Sequence, residues 1–286
     1  MTPPARDGSR DRRIEDPSNL YLIHPAARAL LPRALSFGLS ANAVSIIGLG
    51  CGAMAALAYT RLGNPWLALV GLAFSIAWLI ADGLDGMIAR ATGTSSPLGR
   101  ALDGMCDHGV FAMLYIFLAT SIGTLEAWVL AITAGICHAV QSSLYEGERA
   151  RFHRRVRGDA LTAVPVPSGM LLVRLYDSVA GSLDRVTMPF ERKLAASPDP
   201  VALGTRYGVR ATPVMRLQSL LTANVRVWMI FIACLVANPR VFWWFEIVPL
   251  TIIVIVGLMR HRGVERGFLR AEAPLPILLS SEQGHS

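Results

Sequence analysis

The chain reads as an all-α integral membrane protein with six transmembrane helices. Both termini are expected in the cytoplasm, with an amphipathic helix on the membrane surface ahead of the first span. Three observations predict this. Of 286 residues, 53% are hydrophobic and the mean hydropathy is +0.45, too apolar for a soluble domain of this length. Six segments approach the ~20 apolar residues that cross a bilayer. The arginines alternate between the connections in the pattern that sets membrane orientation.

The N-terminal stretch, residues 1–18, is charged and Pro-rich, with no apolar core or cleavage site, and reads as a disordered cytoplasmic tail. Residues 19–35 are amphipathic and interrupted by Pro25 and Pro32, which suits a segment lying along the surface. The spans follow at 37–60, 65–81, 109–125, 127–144, 220–238 and 241–259. The second and third are short on apolar count and reach full length only by running on past several aspartates. Residues 145–218 form a long insert between spans four and five, within a six-span domain covering 19–265. In this insert the basic run from Arg149 to Arg155 reads as a face toward solvent or lipid headgroups. A second amphipathic helix is expected over 170–193, broken at Ser197-Pro198-Asp199-Pro200. Residues 266–286 form a C-terminal tail.

Orientation follows from charge. Arg6, Arg10, Arg12, Arg13, Arg28 and Arg33 precede the first span, and Arg90 and Arg100 lie between spans two and three. A dozen basic residues fill the insert, and Arg260, Arg262, Arg266 and Arg270 follow the last span. The opposite connections hold only Arg61 and Arg240. This accounts for a pI near 9.7 without invoking nucleic acid. Lys193 is the single lysine, and so arginine-rich a composition suits a bacterial inner membrane. Trp243, Trp244 and Phe245 read as an aromatic belt at the far face. Cys51, Cys106, Cys137 and Cys234 show neither zinc nor disulfide spacing and read as small buried hydrophobes.

Asp82, Asp85, Asp103 and Asp107 are the anomaly in so apolar a region. Each would cost about 2.5–3.5 kcal/mol at mid-membrane. Asp82 and Asp85 are three apart and Asp103 and Asp107 four apart, so each pair shares a helix face. The turn chemistry of residues 93–99 between them would fold the two helices together. Carboxylates converging in a low-dielectric site repel strongly, and divalent cations remove that repulsion. Oxygen-only ligands favour Mg²⁺, with Mn²⁺ also suited, and Mg²⁺ recruits phosphate oxygens. Gly86 and Ala89 leave room for a ligand at the backbone, and Arg90 can pair with phosphate. A membrane cation transporter using the aspartates as an ion site is the alternative reading, although a transporter would place them nearer the midplane.

The run Asp82-x2-Asp85-Gly86-x2-Ala89-Arg90-x8-Gly99-x3-Asp103-x3-Asp107 resembles the signature of the CDP-alcohol phosphotransferase family at every fixed position. Its detail from Ala89 to Gly99 is similar to the choline/ethanolamine phosphotransferase branch. The stretch from Leu39 to Ser45 resembles the family's entry to the first span, with Ala41 where proline is common. The likeness covers residues 20–145 and does not reach the insert. It implies that Asp82, Asp85, Asp103 and Asp107 bind two metal ions and that Asp107 is also the general base. Gly86, Ala89, Arg90 and Gly99 would hold the cytidine diphosphate part of a CDP-alcohol donor. An acceptor hydroxyl would attack, CMP would leave and a phosphodiester would form, in phospholipid biosynthesis at the cytoplasmic face. The resemblance also implies a homodimer.

The acceptor must be read by residues outside the run. His138, Gln141, Ser142 and Tyr145 form a polar stripe on span four, and Asn224 and Arg226 enter span five at the same face. This stripe reads either as interhelical hydrogen bonding or as part of an acceptor pocket made by His138, Gln141, Tyr145, Asn224 and Arg226. Arg226 would either snorkel to the surface or bind an anionic group. His108 could tune the neighbouring base.

Overall fold

A computed structural model describes residues 11–95, 97–161 and 187–270, without the side chains at 97, 98 and 100–103. The tails at 1–10 and 271–286, most of the amphipathic helix expected over 170–193, and the side chain of Asp103 lie outside the described residues. Among the described residues every regular element is helical. A π turn, Asn19–Ile23, leads into α1, His24–Ser36. Then come α2, Ala41–Tyr59, α3, Pro65–Ala91, α4, Pro97–Ile122, and α5, Leu125–Val156. After a helical stretch at 187–195 come α6, Pro200–Gln218, α7, Ala223–Leu235, and α8, Arg240–Arg270.

Local chemistry sets the starts. The Ser40 hydroxyl accepts from the backbone N–H of Ala43 at 3.2 Å, capping α2. Asn64 accepts from the N–H groups of Trp66 and Leu67 at 3.0 and 3.1 Å, with Pro65 at the first helical position. Five described helices are long and apolar enough to cross a membrane, and six if one bent pair counts as a span. These apolar helices suggest an integral membrane protein. As expected, α3 and α4 continue through their aspartates.

The expected fifth span differs. A 3₁₀ turn, Ser219–Leu221, and an extended Thr222 break it, leaving α7 with 13 residues, about 20 Å at 1.5 Å per residue. Together with Pro200–Leu221 it forms a pair bent by 41°. The expected sixth span is helical but re-phased by a π turn at Glu246–Leu250. Pro249 there lacks the N–H an α ladder requires. The aromatic belt also divides. Trp243 is fully buried in the core while Trp244 is half exposed, because consecutive helical residues point about 100° apart.

The described residues group into two compact units. The first comprises 1–149 and 212–257. Its core gathers Tyr59, Trp78, Phe111, Leu114, Tyr115, Leu118, Val227, Ile230, Phe242 and Trp243. Here α2 packs on both α3 and α4, and Ala27, Leu31 and Ala34 of α1 pack on Ala81, Leu84 and Ile88 of α3. The α2–α4 crossing depends on Gly52, where a Cβ would sit 2.6 Å from Val110 Cγ1. Gly52→Ala should therefore destabilise the fold by about 1–3 kcal/mol, read as a lower unfolding temperature in detergent.

The second unit comprises 150–211 and 258–286. It is built around the fully buried guanidinium of Arg155. The run from Arg149 to Arg155 is therefore not wholly the expected face toward solvent or headgroups: Arg151 and Arg155 turn inward. Arg155 donates to Glu191 at 2.7 Å, to Glu265 at 2.6 Å and to the Tyr207 hydroxyl at 3.1 Å, and it lies 4.8 Å over the Phe190 ring. Burial pushes the Glu191 carboxyl up. Arg155, the N–H of Leu161 and Arg154 outweigh it and hold Glu191 below the usual range. A depressed carboxyl stabilises the fold above its unfolded-state value and loses that contribution as pH falls through its folded-state value. Limited proteolysis of this unit should thus accelerate as pH drops below about 4.5. Glu191→Gln should remove much of that pH dependence.

Candidate active site

The site is built where α2, α3 and α4 meet. Asp82 and Asp85 lie on α3 and Asp103 and Asp107 on α4, as their spacing requires. Asp85 is buried, and Asp82 and Asp107 are half-buried. Each of two carboxylates is held by a donor from a neighbouring helix. Ser45 Oγ on α2 donates to Asp85 Oδ2 at 2.5 Å, and Trp78 Nε1 on α3 donates to Asp107 Oδ1 at 3.2 Å. Trp78 is in turn fixed edge-on against Phe111, with ring centroids 5.3 Å apart. Donors of this kind orient a carboxylate and select which oxygen faces a ligand.

Arg90 folds back along α3. Its Nη1 lies 3.3 Å from where a Cβ on Gly86 would sit, so the missing side chain leaves room for the guanidinium one turn from Asp85. Ala89 and Gly99 are both half-buried. His108 is exposed, and its Nδ1–H donates to the Gly104 carbonyl at 2.7 Å, which turns the ring back along α4. Among the described residues, no group of three or more His, Cys, Asp or Glu side chains forms a ready cage for an ion. The Asp103 side chain is outside that set.

The residues read as an acceptor pocket separate into two places. Gln141 and Arg226 meet around Glu246. Arg226 Nε donates to Glu246 Oε1 at 2.9 Å, its Nη2 donates to Gln141 Oε1 at 2.9 Å, and its Nη1 donates to the Leu221 carbonyl. Gln141 Nε2 donates to the Glu246 carbonyl at 2.8 Å, at the π turn where the ladder is re-phased. His138 Nδ1 stands 3.7 Å from Glu246 Oε1. Arg226 is 1% exposed, so it does not snorkel, because a buried carboxylate supplies its counter-charge. Asn224 instead donates to Asp16 Oδ2 at 2.8 Å, and Tyr145 is buried. Glu246 was missed as a partner although its signal was present. An acid inside an apolar span is the same anomaly that exposed the aspartates. Ser45 and Trp78 carried no comparable signal, since a serine and a tryptophan in apolar helices are unremarkable.

Aspartates three and four residues apart on successive apolar helices, buttressed by a third, define a carboxylate site on a bundle of apolar helices. The family model for CDP-alcohol phosphatidyltransferase matches residues 39–175, and this part of the chain is a domain of that family. The match contains all eight residues of the aspartate run and extends into the insert, further than the likeness over 20–145. A phosphatidylinositol phosphate synthase of Mycolicibacterium smegmatis is 32% identical over 152 residues, covering 50% of this chain and 65% of that protein. Cholinephosphotransferase 1 of Xenopus laevis is 31% identical over 122 residues, covering 41% of this chain and 30% of that protein. The chain thus spans less than two thirds of the length of either relative. No solved structure matches it.

Proposed function

We propose that this protein is a membrane enzyme that transfers a substituted phosphate group from a CDP-alcohol to an acceptor hydroxyl, releasing CMP, in phospholipid biosynthesis. The observation that carries this reading is the placement of Asp85 and Asp107, 22 positions apart in sequence, on adjoining helices with each carboxylate held by a hydrogen-bond donor. Oriented carboxylates beside a guanidinium suit a substrate that combines phosphates with a hydroxyl.

The donor set is wholly carboxylate oxygen, which fits a hard divalent cation such as Mg²⁺ or Mn²⁺. Asp82, Asp85, Asp103 and Asp107 would hold it, as two ions by likeness to the family. When bound, such ions neutralise charge on the diphosphate and on departing CMP. The chain's own residues do the rest. Arg90 pairs with phosphate oxygen, and Gly86 keeps the helix surface open to the nucleotide. The Asp107 carboxylate takes the proton of the acceptor hydroxyl as its oxygen bonds to the phosphorus attached to the donor alcohol. The bond from that phosphorus to the CMP oxygen breaks, and CMP carries off the electron pair. Trp78 keeps Asp107 turned toward that proton. We take the site to lie at the cytoplasmic face of a bacterial inner membrane, a reading the arginine distribution supports, with α1 along the surface and, by likeness to the family, a homodimer as the functional unit.

The test is CMP release from purified protein. CDP-diacylglycerol or a CDP-linked headgroup, an acceptor and Mg²⁺ should yield CMP, and chelation with EDTA should stop it. If no CDP-alcohol yields CMP above an Asp107→Asn control, the reading is wrong.

A further inference from the structure

The chain expected as a disordered tail through residue 18 is instead docked on the first unit from residue 11 onward. Ile14 is 1% exposed and Asp16 3%, although both belong to a short segment of turns ahead of the first helix. Hydrogen bonds tie this segment to parts of the unit that are distant in sequence. Asn224 Nδ2, in the first turn of α7, donates to Asp16 Oδ2 at 2.8 Å. Arg149 Nη2, on α5, donates to Glu15 Oε1 at 2.8 Å. Arg216 Nε, near the end of α6, donates to the Arg13 carbonyl at 2.8 Å. The other oxygen of Asp16 accepts from the N–H of Asn19 at 3.0 Å and so caps the π turn that leads into α1. Burying a carboxylate is costly unless donors hold it. A segment that buries one and ties both its oxygens is built to stay in place.

The element that follows this segment backs the aspartates. Helix α1 rests chiefly on α3. Ile23 and Ala27 close on Gly83, where a Cβ would meet Ala27 Cβ at 3.7 Å and Ile23 Cγ2 at 4.0 Å. Gly83 lies between Asp82 and Asp85. With 13 residues and Pro32 inside it, α1 is too short and too interrupted for its own backbone bonds to fix where it sits. We infer that residues 11–18 form a clasp and that Asp16 is a positioning residue for Asp82 and Asp85. Bonded to Asn224, Asp16 fixes the start of α1, and α1 in turn holds the aspartate turn of α3 in place. The inference rests on the reading of Asp82 and Asp85 as cation ligands for the proposed transfer.

The experiment compares three variants of the full chain in detergent. Asp16→Ala loses both bonds, and Asn224→Ala loses only the tie to α7. The swap, Asp16→Asn with Asn224→Asp, lets the amide at 16 donate to the carboxylate at 224 while its oxygen still caps the π turn. Hydrogen–deuterium exchange should quicken in both single variants over 19–36 and over 80–90, and return in the swap. The Mg²⁺ concentration for half-maximal thermal stabilisation without donor should rise about tenfold in the single variants, the low end of what lost support around metal ligands costs, and return in the swap. The Mg²⁺ concentration for half-maximal CMP release should move in parallel, with KM for the acceptor within about twofold. Arg12→Ala, at an exposed position outside these bonds, should change none of these readings. If Asp16→Ala fails to fold, Asn224→Ala, which keeps the cap, carries the comparison. Faster exchange confined to 19–36, or a lower unfolding temperature with the Mg²⁺ response unchanged, would leave the clasp a role in stability alone and overturn the inference. A higher acceptor KM in Asn224→Ala with the Mg²⁺ response unchanged would return Asn224 to an acceptor pocket, again against it. Faster CMP release from the single variants would make the segment a plug and not a support, and would also overturn it. The expected thermal response to Mg²⁺ and its return in the swap, with no CMP release from any CDP-alcohol, would keep the clasp and remove the transfer reading.

Discussion

Asp107→Asn is expected to lower the rate of CMP release by about 10²–10⁴-fold, the usual contribution of a positioned general base. The amide keeps the size of the side chain and its acceptor oxygen for Trp78 Nε1, which donates at 3.2 Å. It cannot take the hydroxyl proton. The loss should appear in kcat at saturating donor and acceptor, and the unfolding temperature should change little. Trp78→Phe supplies the contrast. It retains an aromatic ring against Phe111 and removes the N–H that orients the carboxylate, together with part of the volume of a buried indole. A neutral hydrogen bond to a charged group contributes about 1.5–3 kcal/mol, so a loss of about 10- to 150-fold is expected, smaller than that of Asp107→Asn. If Trp78→Phe were the more damaging of the two, the carboxylate would not be the group that does the chemistry.

Glu246→Leu should be the most destabilising single change in the first unit, at about 3–5 kcal/mol. Glu246 is fully buried and is the carboxylate partner of Arg226, which is itself 1% exposed. Removing the acid leaves a guanidinium uncompensated in an apolar interior. It also takes away the charge facing His138. Replacing both partners, as in Glu246→Leu with Arg226→Met, should recover a large part of the loss, because the cost arises from the stranded charge and not from the absent bond. Thermal unfolding in detergent reads the order, with the single variant below the double. A single variant as stable as the wild type would mean that water reaches the pair.

Much of this molecule is legible in its sequence. Apolar length marked the spans, and the aspartates declared themselves because charge in such a setting is improbable without a use. The spacing of three and of four placed each pair on one helix face, a consequence of 3.6 residues per turn that no tertiary contact can alter. What failed to show was of two kinds. Thr222 and Pro249 break their helices through local backbone chemistry that an average over an apolar window smooths away. The polar stripe of span four was visible as a stripe, but its partners lie far along the chain. Gln141 meets an acid 105 positions away, and Asn224 meets an aspartate 208 positions away.

The sequence by itself therefore determined that this chain is helical and apolar, that it carries a complete aspartate run, and which residues share a face. Those features depend on composition and on short-range periodicity. Only the tertiary structure decided that Ser45 holds Asp85, that Trp78 holds Asp107 and that Arg226 answers to Glu246. Each of these joins side chains from different helices. Such a meeting depends on how the helices cross, and a crossing is set by the packing of many small contacts, such as Gly52 against Val110, that leave no periodic trace in the chain.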